Sequence, residues 1–149
     1  MTTTAATSPT ISKPGPVTTA LTEHYWQCAS RGQLLIQRCT LCGHCQHYPA
    51  ALCRKCWSED LSWVRARGTG TVWTFTVVGM PGHPAWGDET PYVLALVELD
   101  EGPRLMTNVV DCPSDAVHVG QRVQLVTTVR DSQPPLQFAP VVPQEIGES

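Results

Sequence analysis

The 149-residue chain is 42% hydrophobic and 15% charged, with a formal charge of −3; it is long enough for one ordinary domain or two small ones. No apolar stretch reaches the roughly 20 residues of a membrane span. Residues 1–19 show no basic start followed by an apolar run, and seven cysteines is an odd number for a disulfide framework, so a soluble, cytoplasmic protein in a reducing compartment is expected.

Residues 1–17 are mostly Thr, Ser, Ala and Pro. They cannot bury enough apolar surface to offset the entropy of ordering, which predicts a disordered or partner-ordered tail. Residues 18–32 read as a helix, with Thr19 or Thr22 as the cap. Its stripe is Leu21, Tyr25, Cys28 and Ala29, and Gly32 is the stop. So short a helix must dock on something, its own neighbours or a partner. Leu34 to Arg38 form a strand.

The strand leads into Cys39-Thr-Leu-Cys42, and after ten residues Cys53-Arg-Lys-Cys56 follows. Each Cys-x-x-Cys knuckle sets two sulfurs on one turn. Two facing knuckles complete a tetrahedron around zinc at Zn–S distances of about 2.3 Å. Four protein ligands leave no open position, so this zinc would be structural. Gly43 suits the left-handed turn that ends the first knuckle. Trp57 stands in that place in the second, so its turn must differ or be strained. Cys45 is a spare thiol near the first knuckle, but Cys42 fits the spacing. His44 and His47 are expected at the surface, and Tyr48-Pro49 marks the turn between the knuckles. Leu61, Trp63 and Val64 lead out of the ribbon.

Gly68-Thr69-Gly70 is the expected junction. Beyond it five strands follow: Thr71–Val78, Tyr92–Leu99, Arg104–Val110, Val123–Val129 and Leu136–Val142. In the first, Trp73, Phe75 and Val77 share one face. Asp100-Glu101-Gly102-Pro103 makes a hairpin turn. The longer connection Asp111–Gly120 splits strands three and four, as in an OB-fold barrel. The fold class is thus mainly β, with an N-terminal helix, a rubredoxin-like zinc ribbon and a five-stranded barrel. The divisions are 18–67, 68–142 and a tail at 143–149. The long Gly79–Pro91 loop holds Trp86 as a plug on the barrel or a ligand contact.

Charge is divided unevenly. Residues 31–67 hold six cations against two anions, net +4, and residues 68–149 hold three arginines against ten acids, net −7. A basic front and an acidic back suggest two structural units.

The helix, the Cys-x-x-Cys-Gly…Tyr-Pro…Cys-x-x-Cys ribbon, the Gly-x-Gly-x-Val junction and the five strands together resemble one family. It is the acyl-CoA-associated family that joins a rubredoxin-like zinc ribbon to an OB-fold. Gly32, Leu34, Pro49, Gly68, Gly70, Val72, Val97-Glu98-Leu99, Glu101-Gly102 and Val119-Gly120 add to the cysteines, and the likeness spans about residues 18–142. The resemblance implies a non-catalytic accessory subunit that binds sterol-carrier-protein-type thiolases, related aldolases, or hot-dog-fold enoyl-CoA hydratases. The subunit would help form the acyl-CoA channel, while the partner supplies the catalytic groups for carbon–carbon cleavage. Tyr25, Trp26, Arg54, Lys55 and Trp86 are the candidate partner or CoA contacts.

The residues agree with a non-enzymatic role. No Gly-x-Ser-x-Gly, His-Glu-x-x-His or phosphate-binding loop is present. Cys28, Cys45 and Cys112 are possible nucleophiles and His24, His44, His47, His83 and His118 possible bases, but no spacing pairs them. Single-stranded nucleic-acid binding is the rival use of a ribbon and barrel. The acidic barrel repels phosphate, and Trp73 and Phe75 alternate as core residues would.

Overall fold

The computed structural model describes residues 12–126 and 136–142. In chain order they form α1 (Glu23–Ala29), β1 (Leu35–Cys39), β2 (Cys45–Gln46), β3 (Leu61–Arg65), β4 (Thr69–Val78), β5 (Tyr92–Leu99), β6 (Arg104–Val109), β7 (Arg122–Val126) and β8 (Gln137–Pro140). Short 3-10 turns occupy Pro84–Glu89 and Ser114–Ala116. Residues 1–11 and 143–149 of the expected tails, and 127–129 of the expected fourth barrel strand, lie outside the described residues.

The helix is half the expected length. Thr19 to Thr22 form a turn instead, in which the Thr19 N–H donates to Thr22 Oγ1 at 2.9 Å. Leu21 is exposed, while Tyr25, Cys28 and Ala29 are buried as the periodicity requires. The chain leaves α1 through a tight turn in which Gly32 N–H donates to Ala29 O and Gln33 N–H to Cys28 O, each at 3.0 Å.

β1 is the centre of a three-stranded antiparallel sheet in the order β2-β1-β3. It pairs with β3 along its whole length, from Leu35 opposite Arg65 to Cys39 opposite Leu61. The other five strands close a barrel in the order β4-β5-β6-β8-β7. β5 alternates inward Val93, Ala95, Val97 and Leu99 with outward neighbours, the pattern of a strand buried on one face. β6 and β8 run parallel, with Val109 opposite Phe138, and β8 returns antiparallel along β7. This is the five-stranded OB-fold expected from the strand sequence.

One register differs from expectation. A bulge between Val72 and Thr74 leaves Trp73 without a partner on β5. The extra residue resets the alternation. Val72 is buried at 1% exposure and Phe75 packs on the core, while Trp73 is turned to the surface at 50% exposure. The Arg104 guanidinium lies 3.6 Å over its ring and binds Glu98 at 2.9 Å. Trp73 is therefore a surface residue, not the core residue that simple alternation implied.

The step in charge near Gly68 does not divide the core. One cluster of buried apolar side chains runs from Tyr25 and Ala29 on α1, through Leu34, Ile36 and Ala66, to Val72, Val97, Val123 and Phe138 in the barrel. No helix among the described residues is long and apolar enough to cross a membrane.

Candidate metal centre

β1 delivers Cys39 at its end, and the following turn returns Cys42 beside it. The 47–56 segment brings Cys53 and Cys56 opposite. The four sulfurs lie within 4.8 Å of one another. Cys39 and Cys56 Sγ are 3.6 Å apart, as are Cys42 and Cys53 Sγ. A tetrahedral Zn²⁺ with Zn–S bonds of about 2.3 Å separates its sulfurs by roughly 3.8 Å, so the donor set fits that ion. Cys45 stands apart on β2 and packs against the hydrophobic core.

Backbone donors lower two of the four thiols, Cys39 and Cys53, while burial and crowding by the other three sulfurs push Cys56 up to about 12. The Cys42 N–H donates to Cys39 Sγ at 3.5 Å, and this bond holds the Cys39 thiol below its ordinary value. Burial alone would raise the Cys53 thiol, but the N–H groups of Cys56 and Lys55 outweigh it and bring it to about 6. The two knuckles share one turn. Gly43 N–H donates to Cys39 O and Trp57 N–H to Cys53 O, both at 2.9 Å. Gly43 has φ 77° and Trp57 φ 65°, so the second knuckle repeats the first and Trp57 carries the strain of a bulky residue in the left-handed region.

Two buried glutamines hold the segment between the knuckles. Gln37 Nε2 donates to Ala50 O at 3.0 Å, and Gln37 Oε1 accepts from Ala50 N–H and from Gln46 Nε2, each at 2.9 Å. Gln46 Oε1 accepts from Arg54 N–H at 2.9 Å. Every side-chain polar atom of this pair is used, whereas the buried His47 Nδ1 in the same segment has no hydrogen-bond partner among the described residues.

The candidate contact residues have different fates. Tyr25 is 5% exposed and its hydroxyl meets His47 Nε2 at 3.0 Å. It is spent inside the fold, which corrects its expected place at a partner surface. His47, expected at the surface, is 7% exposed. Burial, with Arg54 nearby, lowers its pKa to about 4, so the imidazole is neutral near pH 7. Burial likewise pushes the Tyr25 hydroxyl up to about 12, with Tyr48 adding to the effect. Trp26 is half-buried edge-on to Tyr25. Arg54 is pinned across the turn by donating to His47 O at 2.9 Å. Lys55 is exposed.

Trp86 belongs to the 3-10 turn, where His83 Nδ1 accepts from Ala85 N–H at 3.1 Å and the His83 ring meets the Trp86 ring edge-on at 5.5 Å. The Gly79–Pro91 loop is braced by these contacts within itself, and it lines a groove of about 590 Å³ together with the neighbouring strands. Trp86, Pro91, Tyr92, Val93 and Val110 give it apolar walls, with Asn108, Cys112 and Gln137 among the polar groups. Lys13 reaches its rim and pairs with Glu89. His83, Glu89 and Asp111 also line it, and its volume falls in the range of small-molecule sites. Sequence reasoning singled out Trp86 but not the strand residues facing it.

Two family models match the chain. The ChsH2 rubredoxin-like zinc ribbon domain matches residues 26–62 and the ChsH2 C-terminal OB-fold domain matches residues 63–128. A probable enoyl-CoA hydratase alpha subunit of Thermomonospora curvata is 40% identical over 134 residues; these are 89% of this chain and 41% of that protein. A DUF35 domain-containing scaffold protein of Methanothermobacter thermautotrophicus is 31% identical over 97 residues, 64% of this chain and 72% of that protein. A solved structure described as an Ltp2-ChsH2(DUF35) aldolase superposes with a TM-score of 0.74 at 38% identity, covering 86% of this chain and 100% of that one.

Proposed function

The chain belongs to the ChsH2 family of zinc ribbons joined to OB-folds, and on that premise we propose that it is the non-catalytic subunit of a hetero-oligomeric acyl-CoA-processing complex. Its partner is a thiolase-fold enzyme, a thiolase or an aldolase, that cleaves a carbon–carbon bond of an acyl-CoA. The ribbon holds a structural Zn²⁺ through Cys39, Cys42, Cys53 and Cys56. The barrel lies along the acyl-CoA path, with the groove beneath Trp86 as its contribution to the channel.

One observation carries this reading: the match, at 38% identity, over the whole of a chain from a structure described as an Ltp2-ChsH2(DUF35) aldolase. The site chemistry supports it. The four thiols are committed to one closed tetrahedron, which offers no open position for catalysis. Cys112 in the groove has its thiol pushed up by burial, with Asp111 adding to the effect, the opposite of an activated nucleophile. The low overall charge and apolar groove suit the nearly neutral pantetheine arm. The surface position of Trp73 removes one argument against nucleic acid, but residues 68–149 carry a net charge of −7, which opposes a phosphate backbone.

The test is purification of a tagged chain from its native host, with identification of the retained protein and assay of the pair. A thiolase-fold subunit, and acyl-CoA cleavage that needs both chains, is the expected result. Retention of a hot-dog-fold subunit with hydration activity would favour the second reading, a hydratase partner, to which the name of the Thermomonospora curvata relative points. Turnover by the isolated chain would overturn both.

A further inference from the structure

Resting on the reading as an accessory subunit, we infer that Trp57 at the tip of the ribbon is the anchor that seats the chain in an apolar, acid-rimmed pocket of its enzyme partner. The two knuckles are the same turn built twice, and the residue that ends each one sits in the left-handed region. The first knuckle fills that place with Gly43, which adopts the conformation without steric penalty. The second fills it with the bulkiest side chain available. Within the fold nothing is gained by the exchange, because Trp57 is 74% exposed and its ring is not part of the core cluster. Strain held at an exposed position is the mark of a residue placed for something outside the fold.

The surroundings describe the partner. Leu41, in the other knuckle, is 72% exposed. It and Trp57 each adjoin a cysteine of the metal group, Cys42 and Cys56, whose sulfurs lie within 4.8 Å of one another. Cys42 is itself exposed. The tip therefore exposes two apolar side chains, one from each knuckle, and a bound tetrathiolate would stiffen the turns that carry them before any encounter. A rigid knob loses little entropy on docking, and tryptophan is among the side chains that dominate interface energetics. Arg38, Arg54 and Lys55 are exposed on the same ribbon, and its two acids, Glu59 and Asp60, are exposed as well. Its net charge of +4 becomes about +2 once a zinc tetrathiolate, at −2, is added. The receiving pocket is thus apolar at its floor and acidic at its rim.

The experiment uses the full chain with the subunit it retains. Trp57→Gly should keep one zinc per chain and melt no lower than the parent, because glycine relieves the turn. Its dissociation constant for the subunit should rise at least 30-fold. Lys55→Glu should also keep the zinc and should weaken binding less, with a shallower dependence on salt. Affinity within threefold of the parent for Trp57→Gly, or for Lys55→Glu if the glycine variant does not fold, overturns the inference. If the retained subunit lacks the thiolase fold, the proposed function fails while the same variants still decide the role of Trp57. A parent chain that retains no subunit overturns both.

Discussion

At the scale of single residues, two buried side chains decide how the ribbon holds its shape. Gln37 is 5% exposed and completes bonds to both Ala50 and Gln46. Leucine there would leave the partly buried Ala50 N–H and carbonyl without their partner. The expected cost is about 2 kcal/mol, read as a shift in the urea midpoint at unchanged slope. His47 gives the pH response. Its folded pKa of about 4 lies below the ordinary histidine value of 6.5, so the unfolded chain binds more protons between those values. Stability is full above pH 6.5 and falls as the pH drops towards 4, by about 3 kcal/mol at most. Melting curves across this window should show the loss in the parent and a smaller one in His47→Gln, with zinc content followed in parallel. Neither burial was legible in the sequence. A histidine between two knuckles looks like a loop residue, and its contact with Tyr25, 22 positions earlier, leaves no local trace.

At the scale of elements, the strands were legible because half-buried strands print their period on the sequence, as β5 does. The fault in β4 was not, since a bulge changes the count of residues without changing their types. The turns around Gly68 were read from glycine alone, and the structure shows what Gly70 is for. A Cβ at this position would stand 2.5 Å from Glu98 O and 2.8 Å from Val97 Cγ1. Backbone cannot yield as a flexible side chain can, so Gly70→Ala forces β4 and β5 apart where the barrel begins. The expected loss is about 3 kcal/mol, or recovery of the variant as aggregate. Trp73→Thr on the same strand should change the melting temperature by no more than a few degrees, because that side chain is at the surface. The cysteine knuckles were fully legible, as their spacing alone defines the donor set. The conformation of Trp57 was half legible: the missing glycine announced an anomaly, but the sequence could not say whether the turn would change or the residue would bear the strain.

For the molecule as a whole, the charge division suggested two separate units, yet ribbon and barrel share one core. Removal of the metal should therefore be felt beyond the ribbon. Chelation at pH 7 is expected to lower the melting temperature of the entire chain in a single transition, not to melt the ribbon beneath an unchanged barrel. Circular dichroism and intrinsic tryptophan fluorescence, followed together during chelation, would check this. Two separated transitions would mean that the shared cluster is too weak to couple the halves. The order of strands in the barrel carries a different consequence. β8, the last strand described, lies between β6 and β7, so a nascent polypeptide cannot close the cylinder until that stretch has left the ribosome. The knuckles emerge some 80 residues earlier. Translation thus sets a sequence of events, in which the clasp can load its ion while the keystone of the barrel has yet to be synthesised.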